Sequence, residues 1–448
     1  MIDYQLLFAV LCGITILLLL IIKFRFHAFL ALMLAGIVVG LIAGMDSKSI
    51  ILTIQEGMGS TLGFVATVVG LGAMFGAILE SSGGARVIAD HFIQKLGVKN
   101  ASLAMVLSGF IIAIPVFFEV GFILMVPVIY AIQKRTGKSL LLYAIPLLSG
   151  LAVTHAFIPP TPGPIAVADI IGVDLGTVII TGLIAGIPAA LLSGLYFGKY
   201  IGKKIMIEVP FEMKAEKEID NGTLPGFGIV ASIILIPMLL ILGNTFVSSG
   251  LLSGVPKFLI DFLDIAGHPF GALIIANLIA WYALGIRRKF TAKQLLDITS
   301  QAMAPAGLII LITGAGGVFK QFLMNTGAGK MLAETLAESG FPIVLFAFII
   351  AALVRVIQGS ATVAMITAAG MVAPIIEPGS ISAFGLGCLV TSIASGASIF
   401  SHVNDSGFWL VSQYLGLTEK QTFASWSMMT VILAITGLIA SFLMFLWA

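Results

Sequence analysis

Long apolar stretches separated by short polar segments run along almost the whole chain. Residues 4–22 form an uninterrupted apolar run, and a helix of this length crosses about 30 Å of hydrocarbon at about 1.5 Å per residue. The same pattern predicts spans in the first half near 28–45, 59–80, 140–157 and 176–198. In the second half it predicts spans near 224–243, 268–286, 304–325, 383–400 and 421–447. The chain is therefore expected to be an all-α polytopic membrane protein.

Two further apolar stretches, 101–132 and 341–376, are interrupted in the middle. The first contains Pro115, Glu119 and Gly121, so a single straight helix is not expected there. Two spans with a buried turn, one kinked span and a re-entrant hairpin all fit the apolar pattern. The distribution of basic residues favours the hairpin.

Basic residues fall mostly on one side of the membrane when both interrupted stretches are hairpins. Of the 23 lysines and arginines, all lie on that side except Lys48, Lys257 and Lys330 on the other and Lys320 and Arg355 within the membrane. The positive-inside rule places the populated side in the cytoplasm and both termini in the periplasm. With five spans and one hairpin in each half, the second half crosses the membrane in the opposite orientation to the first, which predicts inverted repeats.

An internal repeat, in which residues recur 244 positions later in the chain, supports this division into halves. The repeated residues are mostly glycines: Gly70, Gly72, Phe75, Leu79, Gly83, Ala89, Gly163 and Gly172 recur as Gly314, Gly316, Phe319, Leu323, Gly327, Ala333, Gly407 and Gly416. We therefore predict a first transmembrane repeat at 1–201 and a second, inverted one at 224–448. The mixed charges of 202–223 are typical of a solvated cytoplasmic linker.

Composition excludes several classes of protein. Hydrophobic residues make up 59% of the chain and charged residues 10%, with a mean hydropathy of +1.14, so a soluble protein is excluded. The net charge of +2 gives no reason to expect a nucleic-acid partner. Cys12 and Cys388 lie in apolar runs, where buried small hydrophobes are expected. No metal-binding histidine pair or nucleophile motif is present, so we expect no enzyme, no metal and no cofactor.

Four polar interruptions at membrane depth come in two pairs. The hairpin tips at 117–121 and 358–362 form one pair, and breaks at 154–164 and 401–407 in the spans after each hairpin form the other. Non-helical backbone survives at this depth only where it lines a cavity or is buried in protein. The half-helices at such a break direct N–H groups and a positive dipole end toward an anion.

Polar side chains at these interruptions are the candidate substrate ligands. Arg355 either pairs with Asp405 and backbone carbonyls, or binds a substrate carboxylate in bidentate fashion. The hydroxyls of Ser360 and Thr362 either cap the second arm of their hairpin or contact the ligand. The predicted substrate-binding set is Thr154, His155, Thr161, Arg355, Gly359, Ser360, Thr362, His402, Asn404, Asp405 and Ser406.

Acidic residues inside a membrane are typical of proton pathways. Glu119, at the first hairpin tip between phenylalanines, is the first choice for proton coupling, and a structural helix cap is the alternative. Asp169 and Asp405 are rival proton sites. Lys320 stands at the repeat position of Gly76, and its side chain is expected to snorkel to an interface unless it has another role.

The motifs at these positions resemble those of the gluconate permease family of proton symporters. The resemblance rests on residues 117–122, 155–164, 359–364 and 401–409, and extends over essentially the whole chain. It implies kinship with the ion transporter superfamily, whose members pair a scaffold with a mobile transport domain and are usually homodimers. Where some members carry histidine in a Pro-Pro-His-Pro pattern, this chain has Thr161, so a role for that histidine does not transfer.

The resemblance implies a proton-coupled symporter that imports gluconate or a closely related sugar acid across the bacterial inner membrane. The family also contains carriers of idonate, fructuronate and D-serine. Arg355 and residues 402–405 resemble the sugar-acid branch. The alternative is a symporter of D-serine or another hydroxy acid.

Overall fold

The computed structural model describes residues 4–210, 224–248, 255–329, 331, 340–403 and 405–448. These residues form helices and connecting segments, and no strand occurs among them. The first half contains α1 (Tyr4–Ile22), α2 (Ala28–Ile42), α3 (Ser47–Ser81), α4 (Gly84–Leu96), α5 (Ala101–Ile112), α6 (Phe118–Thr136), α7 (Leu141–Phe157), α8 (Pro162–Ile171) and α9 (Leu175–Lys204). The predicted all-α class is confirmed.

The second half begins after residues 211–223, which lie outside the described part of the chain and include most of the predicted linker. It contains α10 (Phe227–Ser248), α11 (Lys257–Ala266), α12 (Pro269–Arg288), α13 (Ala292–Asn325, with a break at 302), α14 (Ile343–Gln358), α15 (Ala361–Val372), α16 (Ala383–Ser398), α17 (Ser406–Leu415) and α18 (Glu419–Phe445).

Several helices are long and apolar enough to cross a membrane. Among the described residues there are seven of them, or eight if α4 and α5 form one bent span. Helix α4 and the segment Val98–Ile112 meet at 115°, because Gly97 stands between them with a positive φ of 73°. The remaining apolar helices are shorter. They include the hairpin arms α14 and α15, and also α2 and α16, which the apolar pattern predicted as spans near 28–45 and 383–400.

The predicted span at 59–80 was too short at its N-terminal end, because the helix begins at Ser47. Asp46 caps it: its Oδ1 accepts from the backbone N–H of Lys48 at 2.9 Å and of Ser49 at 3.0 Å. The pKa of Asp46 lies below its usual range. The hydrogen bonds from the backbone and side chain of Ser49 have the largest effect, and the bond from Lys48 has a smaller one. The span predicted at 304–325 is extended in the same way, from a capping box at Thr291. Apolar pattern alone misses such polar first turns.

Helix bounds in the two halves follow the spacing of the repeated glycines. Helices α8 and α17 each contain 10 residues, and each ends on a glycine with positive φ, Gly172 at 86° and Gly416 at 61°. Helices α3 and α13 also end at matching positions, Ser81 and Asn325. The inversion of the second half stays a prediction of the charge distribution.

The helical backbone is broken at all four predicted interruptions, over residues 113–117, 158–161, 359–360 and, among the described residues, 399–403 and 405. Helix α7 ends at Phe157 because Pro159 and Pro160 follow: the residue before a proline avoids helical backbone, and prolines donate no hydrogen bond. Helix α8 then begins with Pro162 in its first turn, where proline is favoured. In the second half, Gly359 ends α14 with a φ of 90°, a conformation that glycine adopts without strain.

Glycines let the helices around these interruptions approach closely. A Cβ on Gly150 of α7 would lie 2.3 Å from the carbonyl oxygen of Val106 on α5. In the second half, a Cβ on Gly396 of α16 would lie 2.3 Å from the carbonyl oxygen of Phe348 on α14. In both halves, therefore, the first hairpin arm packs directly on the helix that precedes the break.

Candidate functional site

The four interruptions meet around one cavity of about 310 Å³. Its volume is at the lower end of the range for small-molecule sites, about 300–1,000 Å³. The first half contributes Glu119 from the hairpin tip and His155 from the end of α7. The second half contributes its own tip and break, and α18 closes one wall. The cavity is thus built from both halves of the chain.

Three helices begin at this cavity. Phe118 and Glu119 of α6, Ala361 and Thr362 of α15, and Ser406 and Gly407 of α17 line it, and each pair belongs to the first turn of its helix. The first N–H groups of a helix have no partner within it, and the helix dipole makes this end positive. The geometry favours a bound anion.

Arg355 lies in the last turn of α14 and is buried, with 4% of its surface exposed. Its Nη2 donates to Oδ2 of Asp405, and its Nη1 donates to the carbonyl oxygen of Gly359. Both contacts of the ion-pair alternative are therefore present. Its Nε is buried without a hydrogen-bond partner, so the guanidinium still has a donor to offer beside the cavity.

The carboxylate of Asp405 accepts each hydrogen bond that it makes with the described residues. Besides Arg355, it accepts a hydrogen bond from the hydroxyl of Ser401. Its Oδ1 accepts from the backbone N–H of Gly407 at 3.0 Å, which makes Asp405 the N-cap of α17. A carboxylate held by an arginine, a hydroxyl and a helix N-terminus is a fixed counter-charge. Its role in proton transfer stays a prediction.

Trp426 extends this network to α18. Its Nε1 donates to Oγ of Ser401 at 2.6 Å, and the backbone N–H of Ser401 donates to Oγ1 of Thr430 at 3.1 Å. The hydroxyl of Ser427 donates to the carbonyl oxygen of Ser401. Helix α18 therefore fixes the break that precedes α17.

Glu119 and His155 both line the first-half side of the cavity. Glu119 is exposed, in the first turn of α6, and interacts electrostatically with His155 in the last turn of α7. The Nδ1 of His155 is buried and has no hydrogen-bond partner. The ring of Phe117 lies 6.1 Å from the imidazole.

Seven of the predicted site residues line the cavity together with Glu119. They are His155, Arg355, Gly359, Ser360, Thr362, Asp405 and Ser406. Ser360 also has the capping role, because its Oγ accepts from the backbone N–H of Val363 at 3.4 Å.

Three predicted substrate ligands do not line this cavity. Thr154 is fully buried on another face of α7 from His155, since successive helical residues point about 100° apart. Thr161 donates to the carbonyl oxygen of Ile158 at 2.6 Å and lines a separate gap of about 10 Å³. The Nε2 of His402 lies 2.7 Å from the carbonyl oxygen of Val356.

Asn404 is outside the described residues, and Asp169 lines a second cavity of about 290 Å³. Sequence reasoning also missed four polar residues that line the first cavity. Gln358 belongs to the predicted tip at 358–362 but was not among the predicted ligands, whereas Ser398, Thr430 and Trp426 lie in apolar runs where no local signal marks them.

Known proteins with the same pattern of residues identify the family. Residues 5–447 match the model of the GntP family permease. The chain belongs to the GntP permease family. It is 39% identical over 433 residues to the low-affinity gluconate transporter of Escherichia coli K12, covering 97% of this chain and 96% of that protein. It is 38% identical over 439 residues to the gluconate permease of Pseudomonas aeruginosa PAO1, covering 98% and 97%.

Solved structures of transporters share the fold of this GntP permease. The crystal structure of the Alcanivorax borkumensis YdaH transporter has a TM-score of 0.67 at 14% identity, over 94% of this chain and 97% of that one. The Neisseria gonorrhoeae MtrF structure, described as illuminating a class of antimetabolite efflux pumps, has a TM-score of 0.66 at 14% identity, over 93% of each chain. The family is a permease family and its curated relatives are transporters, so this GntP permease is a multi-pass membrane transporter and not an enzyme.

Proposed function

We propose that this GntP permease is a secondary transporter that imports gluconate, or a closely related sugar acid, together with protons across the bacterial inner membrane. The observation that carries the proposal is the cavity at which three helix N-termini and Arg355 converge. Such a site suits the carboxylate of a small anion. The names of the curated relatives, which are gluconate transporters and permeases, select the sugar acid.

The substrate carboxylate is placed between the N-termini of α15 and α17, within reach of Arg355. Thr362, Ser406 and Gln358 offer hydroxyl and amide groups on the same wall, and these hydrogen-bond the sugar hydroxyls. The hydrogen bond that Arg355 donates to Asp405 holds the guanidinium in place. In this arrangement the arginine has both of the roles that its sequence position allows.

Proton coupling follows from the charges at the cavity. Moving an anion inward against a negative interior costs about 2.3 kcal/mol per charge per 100 mV, and one accompanying proton removes that cost. Arg355 and Asp405 neutralise each other, so an ionised Glu119 would repel a bound carboxylate. Protonation of Glu119, with His155 as its neighbour, therefore accompanies the binding of the sugar acid.

The inverted topology, with both termini in the periplasm, remains part of the proposal. The hairpins and broken spans form a transport domain that moves against the other helices of each protomer in a homodimer, as the family resemblance implies. Cysteine cross-links between a hairpin tip and α3 or α13 are expected to stop uptake. Full uptake by the cross-linked protein would count against such a movement.

Uptake of labelled gluconate by proteoliposomes, with an imposed pH gradient that is alkaline inside, tests the function. We expect accumulation that a protonophore abolishes. Accumulation that survives the protonophore would overturn proton coupling. Competition by a panel of unlabelled acids identifies the substrate, and stronger competition by D-serine than by gluconate would replace the sugar acid with the amino acid.

A further inference from the structure

A second cavity, of about 290 Å³, lies apart from the substrate cavity and shares no lining residue with it. It is bordered by α10, by the last turn of α8, by the first turn of α9, and by the segment that precedes α12. Its titratable side chains are Asp169, Asp174 and His268. The wall that α3 contributes is the aromatic ring of Phe64.

Asp174 and His268 are engaged in capping helices. Oδ1 of Asp174 accepts from the backbone N–H of Thr177 and from Oγ1 of Thr245, both at 2.9 Å, and its Oδ2 accepts from Oγ1 of Thr177 at 2.5 Å. Nδ1 of His268 accepts from the backbone N–H of Phe270 at 3.3 Å. The carboxyl of Asp169, by contrast, makes no hydrogen bond within the described part of the chain.

A lysine stands behind Asp169. Nζ of Lys320, on α13, donates to the carbonyl oxygen of Ile170 at 2.6 Å and interacts electrostatically with Asp169. The two side chains are not in direct contact, since the ion pairs found within 4.0 Å among the described residues join other residues. The ammonium therefore needs only a displacement of its own side chain to move from the carbonyl oxygen of Ile170 to the carboxylate of Asp169.

Capping the end of α8 does not explain the lysine. Helix α17, the repeat mate of α8, ends on its own glycine with backbone hydrogen bonds, and the repeat position of Lys320 is Gly76. The backbone of α8 ends in the same way, with the N–H of Gly172 bonded to Ala168. Lys320 is half-buried in a helix that is long and apolar enough to cross a membrane, where a charged side chain is costly and usually marks a functional site.

We propose that Asp169 is a second proton-binding site, with Lys320 as the internal cation that takes the place of the proton. With Asp169 protonated, Lys320 bonds the Ile170 carbonyl, as it does in this structure. When the proton leaves, the ammonium pairs with the carboxylate. The proton enters from the periplasm and is released to the cytoplasm.

This inference rests on the proposed symport and adds one proton to it. With protons at Glu119 and Asp169, each sugar-acid anion is carried with two protons, and one net positive charge moves inward per cycle. Uptake then responds to membrane potential as well as to the pH gradient. A symporter with the proton of Glu119 alone would move no net charge.

The experiment measures gluconate accumulation in proteoliposomes at equal pH under a potassium diffusion potential, negative inside. For wild type, one net charge corresponds to about 50-fold accumulation per 100 mV. Asp169→Asn is expected to lose this response, yet to accumulate gluconate under a pH gradient through Glu119. Gluconate counterflow, which needs no net charge movement, should be retained and shows that the variant is folded.

Asp174→Asn is the matched control, because asparagine also caps a helix N-terminus well, and its response to potential should equal that of wild type. Lys320→Gln removes the competing cation, so uptake should fall at a more alkaline pH than in wild type. An unchanged pH profile in Lys320→Gln, or a wild-type response to potential in Asp169→Asn, overturns the inference.

The wild-type protein separates the two proposals. Uptake driven by a pH gradient but insensitive to potential overturns the second proton site and leaves the symport intact. Uptake driven by neither overturns both.

Discussion

Arg355 donates a hydrogen bond to Asp405 and so joins the second hairpin tip to the break that precedes α17. Across the cavity, Glu119 of the first hairpin tip faces His155 at the end of α7. Each half thus sets a hairpin residue against a residue of its broken span, but the acid and the base change places. The second pair is joined by a hydrogen bond, whereas Glu119 of the first pair is exposed, and in the proposed function the second pair serves the substrate carboxylate and the first pair serves the proton.

Replacing Arg355 by alanine should abolish gluconate binding and also destabilise the fold. Removing one partner of a buried ion pair costs about 3–5 kcal/mol, because the other charge is left buried alone. The double variant Arg355→Ala with Asp405→Ala should recover most of the thermal stability in detergent but no binding. Binding by the stable double variant would show that the arginine is structural.

Replacing Glu119 by glutamine should preserve gluconate counterflow and weaken proton-driven accumulation. The neutral amide no longer requires a proton when the anion binds, so accumulation per unit of pH gradient falls about tenfold. Proteoliposome uptake at several imposed gradients measures this slope. Glu208→Gln, an exposed acid outside the helices, is the control, and an equal slope in both variants would contradict the role of Glu119.

Replacing Trp426 by phenylalanine should weaken gluconate affinity without stopping transport. The indole N–H that bonds Ser401 is lost, at a cost of about 1 kcal/mol, and the segment that positions Asp405 becomes looser. Equilibrium binding to the purified protein checks the affinity. Trp447→Phe, at a position that is 91% exposed, should behave as wild type, and equal affinities in the two variants would remove Trp426 from the site.

Replacing Gly150 by alanine should destabilise the contact between α5 and α7. The new Cβ would lie 2.3 Å from the carbonyl oxygen of Val106 and 2.7 Å from the backbone nitrogen of Phe110, and overpacking of this kind costs about 1–3 kcal/mol. Gly63→Ala is the matched control, since no atom lies within 4 Å of its added Cβ. Thermal unfolding in detergent should show a lower midpoint for the first variant alone.

Local features of the sequence predicted the helices and their interruptions well. Prolines 159 and 160 end α7, Gly359 ends α14, and the repeat glycines mark the ends of α8 and α17. These signals act through the backbone of neighbouring residues, so a single sequence is enough to find them. The starts of α3 and α13 were missed because polar first turns depend on caps rather than on hydropathy.

Which residues line the cavity was harder to predict from the sequence. Thr154 and His155 are neighbours in the chain, yet only His155 lines the cavity, because the phase of α7 decides which of them faces inward. Trp426 lies far along the chain from Glu119 and lines the same cavity. No local signal in an apolar run reports such a contact.

The sequence by itself determined the membrane class, the positions of the helix breaks and the family, because hydropathy, proline and glycine act locally and the motifs are specific. Only the tertiary structure decided that Asp405 is held by Arg355, that Thr161 lies outside the substrate cavity, and that Lys320 stands behind Asp169. These relationships join helices distant in sequence, and the packing of close backbones at glycines sets which side chains meet.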